Sequence, residues 1–210
     1  MAVQDQSLKD ANRRPLLAII VANALAFYLL ATSGAIAISG FSALVKSGVN
    51  ALPAGAIFVF TSVLVELLNA KWKARLVFWR WHHPLPGARA FSEYVDTDDR
   101  IDTSELRRKI GDFPTSPKDQ NSRWYKLYLA SESDPRIQQV HKGYLFTRDY
   151  AAISVIFLAI GGIAMWWLVS HLTAAVYDAA LIAQYLIVRQ SAKHHGERFV
   201  TSVLALTAAR

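Results

Sequence analysis

Residues 16–39, LLAIIVANALAFYLLATSGAIAIS, contain no charged side chain. A helix of that length crosses a hydrocarbon core of about 30 Å, and few soluble folds can bury so long an apolar run. Three further blocks repeat the pattern: residues 51–70, whose only charge is Glu66, residues 150–170, and residues 173–188, interrupted by Asp178 and Gln184. Hydrophobic residues make up 53% of the 210 and charged ones 19%, and the apolar excess is gathered into these four blocks. Between the second and third lies a polar stretch of roughly 80 residues. That distribution excludes a single soluble domain and a disordered chain, and the lack of cysteine excludes a disulfide scaffold. The expectation is an all-α integral membrane protein with four spans.

The basic residues set the expected orientation. Lys9, Arg13 and Arg14 precede the first block, and only Lys46 lies between the first and second. The polar stretch carries fifteen, the short link between the third and fourth blocks none, and Arg189, Lys193, Arg198 and Arg210 follow. Twenty-two of the 23 basic residues thus fall on one side, which the positive-inside rule makes the cytoplasm. The expected organisation is a cytoplasmic N-terminal segment (1–15), a first transmembrane hairpin (16–70), a basic cytoplasmic domain (71–148), a second hairpin (149–190) and a cytoplasmic tail (191–210). This describes a multi-pass protein of the bacterial inner membrane with both termini cytoplasmic. The first block exceeds the apolar core of a cleaved signal, so it reads as a retained span. Ala31, Ala35 and Ser39 at four-residue spacing, and the Gly161-Gly162 pair, offer close approach between helices, within one chain or between copies.

The second span is expected to continue as a basic, aromatic helix, KWKARLVFWRWHH (71–83). Lys71, Lys73, Arg75 and Arg80 alternate there with Trp72, Trp79 and Trp81. Such a helix suits a lipid headgroup layer, and the same cations and rings suit a nucleotide or oligonucleotide. Composition does not separate the two. Pro84, Pro86 and Gly87 then break the helix.

The acidic cluster Asp96, Asp98, Asp99, Asp102 and Glu105 reads either as helix capping and charge balance or as a divalent-metal site. Asp102 with Glu105 makes a capping pair before LRRKI, and Gly111 ends that helix. Residues 120–130 read as a short helix. Asp134 caps the next one, which holds Pro135 at its first position and is expected to run straight into the third span. Such a rod would transmit a movement from the cytoplasmic domain. The apolar end of the tail, 199–209, is too short to span and lies either on the membrane or against the cytoplasmic domain.

No enzyme motif is present: there is no phosphate-binding glycine loop, dinucleotide fingerprint, HExxH or nucleophile elbow. No catalytic residue, resident metal or cofactor is therefore assigned. His82-His83 and His194-His195 are interfacial polar residues on this reading; adjacent helical positions diverge by about 100°, so neither pair makes a metal site alone. The polar residues inside the spans are more suggestive: Asn23, Glu66, Asn69, Asp178 and Gln184. Intramembrane ionisable groups face a protein interior or a water path. Asp178, with His171 as its candidate partner, is either a pore-lining acid repeated around an oligomer or one end of an interhelical hydrogen bond.

Two hairpins around a basic cytoplasmic insert, in a chain of this size, resemble the small four-helix transmembrane effectors of bacterial anti-phage defence, while the distinctive phrases FWRWHHPLPGARAFS and QNSRWYKLY tie the chain to no family. The resemblance covers the architecture and transfers no residue. It implies a homo-oligomeric channel or membrane-disrupting effector, gated at its cytoplasmic side by a nucleotide or oligonucleotide ligand or by a soluble partner. The alternative is a non-conducting sensor or scaffold subunit acting with such a partner.

Overall fold

A computed structural model describes residues 2–33 and 48–210, and no strand occurs among them. The helices are α1 (Ala2–Ala31), α2 (Gly48–Leu67), α3 (Ala70–Phe78), α4 (Thr103–Ile110), α5 (Pro117–Ser131), α6 (Pro135–Phe157), α7 (Ile163–Leu168) and α8 (His171–Ala209). A short 3-10 turn, Pro86–Arg89, runs into a π turn, Ala90–Tyr94, and a second π turn, Leu158–Gly162, joins α6 to α7. Three helical stretches are long and apolar enough to cross a membrane: Leu8–Ala31, Pro135–Leu168 and His171–Ala209. The stretch Ala54–Leu67 of α2 passes the same test together with Ala70–Phe78, the two bent by 101° across the break at Leu68 and Asn69.

Several expected boundaries move, each for a local reason. The first helix starts at Ala2 rather than at residue 16, because residues 2–14 hold no breaker and Pro15 sits inside the helix. It stops at Ala31, where Thr32 Oγ1 turns back to the Tyr28 carbonyl at 2.8 Å. Ala35, Ser39 and Lys46 lie outside the described residues. The expected continuation of the second span into 71–83 does not form, since the chain breaks at Asn69 and α3 ends at Phe78. The helix expected over 120–130 starts earlier, with Ser116 accepting from the Asp119 N–H and Pro117 opening the first turn. The fourth block and the tail are one 39-residue helix, α8.

By packing, the chain forms two units. The apolar unit comprises Ala11–Asn69 and Asp149–Val188. Its core gathers Ile20, Phe27, Ile57, Ile153, Phe157 and Tyr177, among others. Outward it shows Val59, Phe60, Ile163, Trp167 and Leu172, with Trp167 86% exposed. A surface so apolar is the one a lipid solvent selects.

The polar unit comprises Met1–Asp10, Ala70–Arg148 and Arg189–Arg210. Its core is built on Phe199, against which His141 stacks at 4.4 Å while Trp124 and Tyr128 meet it edge-on at 5.1 and 5.3 Å. Val200, Val203 and Leu204 are wholly buried beside them. Of the two placements open for residues 199–209, packing within the polar domain is the one the structure has. Gly196 would read as a breaker in α8, yet it is a packing choice: a Cβ there would sit 2.8 Å from Phe78 Cζ and 3.0 Å from Tyr144 Cε2.

The two distinctive phrases of the polar stretch meet in one junction. The Gln120 carboxamide oxygen accepts from the Phe91 N–H and from Ser92 Oγ, each at 3.1 Å, and its nitrogen donates to Thr115 O at 3.2 Å. Gly87 lies flat on the Trp124 ring, where a Cβ would come within 2.5 Å of Cε3 and 2.9 Å of Asn121 Oδ1. Both obstacles belong to packed groups, so Gly87→Ala is expected to cost the polar unit about 2–3 kcal/mol. A chemical-denaturation midpoint followed by Trp fluorescence checks this; an unchanged midpoint would mean that the junction gives way freely.

Candidate functional site

Within the acidic cluster, Asp98, Asp102 and Glu105 serve local structure. Asp102 caps α4 by accepting the Glu105 N–H at 2.9 Å, and Gly111 closes it at φ 78°. Asp134 does the same for α6, accepting the Arg136 N–H at 3.0 Å. Arg100 grips Asp98 through Nε at 2.8 Å and Nη2 at 2.6 Å. That grip holds the Asp98 carboxyl well below the usual carboxylate range, against the opposing pull of burial, with Thr201 assisting. A depressed carboxylate stabilises the fold above its unfolded pKa of about 3.9, and the contribution is lost as pH falls through the folded value. The stability difference between wild type and Asp98→Asn should therefore be full near neutrality and shrink below about pH 4. Paired denaturation curves across that range check it, and a difference independent of pH would assign the loss to packing.

Within the apolar unit, the polar residues singled out from the sequence have distinct settings. Asp178 Oδ2 accepts the Trp166 indole N–H at 2.7 Å, while its Oδ1 is buried without a partner against Gly162 in the π turn. His171, the expected partner, instead lies beside the Trp166 ring at 5.6 Å. Gln184 donates to Ser154 Oγ at 3.1 Å and Asn23 to the Ile19 carbonyl at 2.9 Å. Both also line an open groove of about 450 Å³ between α1 and α8, walled otherwise by groups such as Ala26, Leu30, Val176 and Tyr177. The structure thus brings Asn23 and Gln184 to one groove. Glu66 and Asn69 are exposed near the end of α2 and take no part in it.

Within the polar unit, the basic and aromatic residues divide sharply. Lys73 is buried, Lys71 is exposed, and Arg80 is paired with Glu93 at 3.1 Å. Beyond Phe78 the chain turns back through Trp79 and His83, whose φ angles of 53° and 46° are left-handed, a conformation costing a side-chain-bearing residue about 1–2 kcal/mol. The reversal brings the Trp81 ring edge-on to Trp72 at 6.1 Å. The Arg75 guanidinium lies 4.3 Å from the Trp72 centroid and 5.7 Å from that of Trp81, with its Nε donating to the Trp81 carbonyl at 3.2 Å.

Trp79 takes a second guanidinium, that of Arg189 on α8, at 3.6 Å from its centroid. Each such stack is worth about 0.5–2 kcal/mol, depending on its exposure. Arg189 was not singled out in the sequence, where it is one basic residue after an apolar block. Only folding puts it on Trp79, and no local signal announces that contact.

This arrangement can bind an anion. A guanidinium on a ring keeps N–H groups not used by the ring contact, and these can donate to a carboxylate or phosphate. Compared with protein-family models, with curated proteins and with solved structures, the chain matches none.

Proposed function

We propose that this chain is a non-enzymatic, ligand-responsive effector of the bacterial inner membrane. In this reading it has four spans and cytoplasmic termini, and works as a homo-oligomer whose polar unit receives an anionic ligand. One observation carries the proposal: α8 holds Asp178, Gln184 and Arg189 on a single unbroken helix. An anion engaging Arg189 acts directly on the helix that carries the polar groups of the apolar unit. The helix α6 is likewise unbroken through Arg148 and Asp149, where the chain passes from one unit to the other. The output is an oligomeric pore, supported by the groove at Asn23 and Gln184. Anti-phage defence is the setting the architecture suits, with a nucleotide or oligonucleotide as the soluble ligand.

A second reading, the non-conducting sensor acting with a soluble partner, has its own support. The Asp178–Trp166 and Gln184–Ser154 hydrogen bonds are made within one chain and need no pore water. Ionic current across a planar bilayer holding the purified protein, recorded with and without nucleotides and oligonucleotides, tests the proposal. Discrete conductance that responds to a ligand is the expected result. Silence from folded protein under every ligand would overturn the pore and leave the sensor.

A further inference from the structure

Taking the polar unit as the ligand-receiving part, we infer that Arg75 and Arg189, each stacked on tryptophan, form a receptor for a phosphate group. Half of the twelve arginines of this unit are paired with carboxylates: Arg80 and Arg89 with Glu93, Arg100 with Asp98, Arg108 with Glu105, Arg136 and Arg210 with Asp134. Arg75 and Arg189 meet rings and a carbonyl instead, and neither meets a carboxylate among the described residues. Their charge is left for an outside anion. Arg189 Nε is buried with no hydrogen-bond partner, an orphan donor at the Trp79 ring.

The ring that carries Arg189 stands one helical turn beyond Arg75. Trp79 donates its backbone N–H to the Arg75 carbonyl at 2.9 Å and carries Arg189 on its ring. Its left-handed backbone holds the ring in that place. The rings are open to the surroundings, with Trp79 60% and Trp81 70% exposed. Two guanidiniums beside exposed indoles suit a phosphate better than a lone carboxylate, because the tetrahedral group offers more oxygens to their remaining N–H groups. The phosphate can belong to an anionic phospholipid or to a soluble nucleotide, since both offer the same oxygens.

The full-length protein in nanodiscs separates these sources. Native mass spectrometry reads phosphatidylglycerol retained from a phosphatidylcholine mixture, and Trp fluorescence reads titration with pyrophosphate. Arg75→Gln and Arg189→Gln are each expected to weaken binding about tenfold or more. Arg107→Gln removes the same charge from a guanidinium on Phe113, in a different helix, and should change binding less than twofold. Arg189→Lys, which keeps the charge and loses the fork, should still weaken it, and it serves if the glutamine variants do not fold.

Arginine-dependent lipid retention makes the site a headgroup receptor; arginine-dependent pyrophosphate binding alone makes it a receptor for a soluble phosphate. Loss in neither assay, or an equal loss in Arg107→Gln, overturns the site. Arginine-dependent binding without any change in conductance would uphold the site and overturn gating. Nucleotide-gated current unaltered in both arginine variants would do the reverse.

Discussion

Deleting residues 199–210 should abolish the fold of the polar unit. The deletion removes Phe199, Val200, Val203 and Leu204 from its core, and all four are buried. Each contributes about 1.5–3 kcal/mol by burial, and together they rival the whole stability of an ordinary domain, about 5–15 kcal/mol. It also removes partners that the remaining chain needs. Trp124 Nε1 donates to the Val200 carbonyl at 3.4 Å, and Lys109 Nζ to the Ala208 carbonyl at 2.7 Å. His141 would lose the ring stacked on it, at the centre of a cluster that includes Trp124 and Tyr128. Limited trypsin digestion of the detergent-purified protein, together with near-UV circular dichroism, reads the outcome. Rapid cleavage within 70–148 and a collapsed aromatic signal are expected. A truncated protein that keeps both native signatures would mean that the end of α8 is dispensable to this core.

Replacing Trp166 by Phe should destabilise the apolar unit by about 1–3 kcal/mol, the cost of leaving a hydrogen-bond acceptor unsatisfied. The ring area is largely kept, so the indole N–H is the main thing lost. Trp166 supplies the hydrogen bond to Asp178 Oδ2, and Oδ1 already lacks a partner. The variant leaves both oxygens without a donor among the described residues, in a segment suited to hydrocarbon. The diagnostic result is the double variant: once Asp178→Asn is made, adding Trp166→Phe should cost much less. A cycle of thermal unfolding in detergent measures that coupling. Additive effects would show that the indole and the carboxylate do not depend on one another, and would free Asp178 for a role outside its own chain.

Local features were read well where a short-range rule decides them. The caps at Asp102 and Asp134, the stop at Gly111 and the run of the Asp134-Pro135 helix toward the third apolar block follow from residues within one turn of each other. The errors arose where local and tertiary preferences compete. Residues 71–83 have helical composition throughout, yet the chain reverses after Phe78, where Trp79 is held left-handed with its ring on Arg189. His171 was the nearest plausible partner for Asp178 along the chain, whereas the indole of Trp166 reaches it from the facing helix.

What the sequence determined by itself is the helical class and the presence of segments fit to cross a membrane. Length and hydropathy are properties of contiguous residues, and the backbone's need for hydrogen bonds in lipid turns an uncharged run into a helix whatever surrounds it. Only the tertiary structure decided that the last apolar stretch is core rather than surface anchor. It alone also distinguished the paired arginines from those that face tryptophan. Those outcomes depend on which side chains meet across scores of residues, as Phe199 meets His141 and Arg189 meets Trp79. Shape and burial select such partners, and neither exists before the chain has packed.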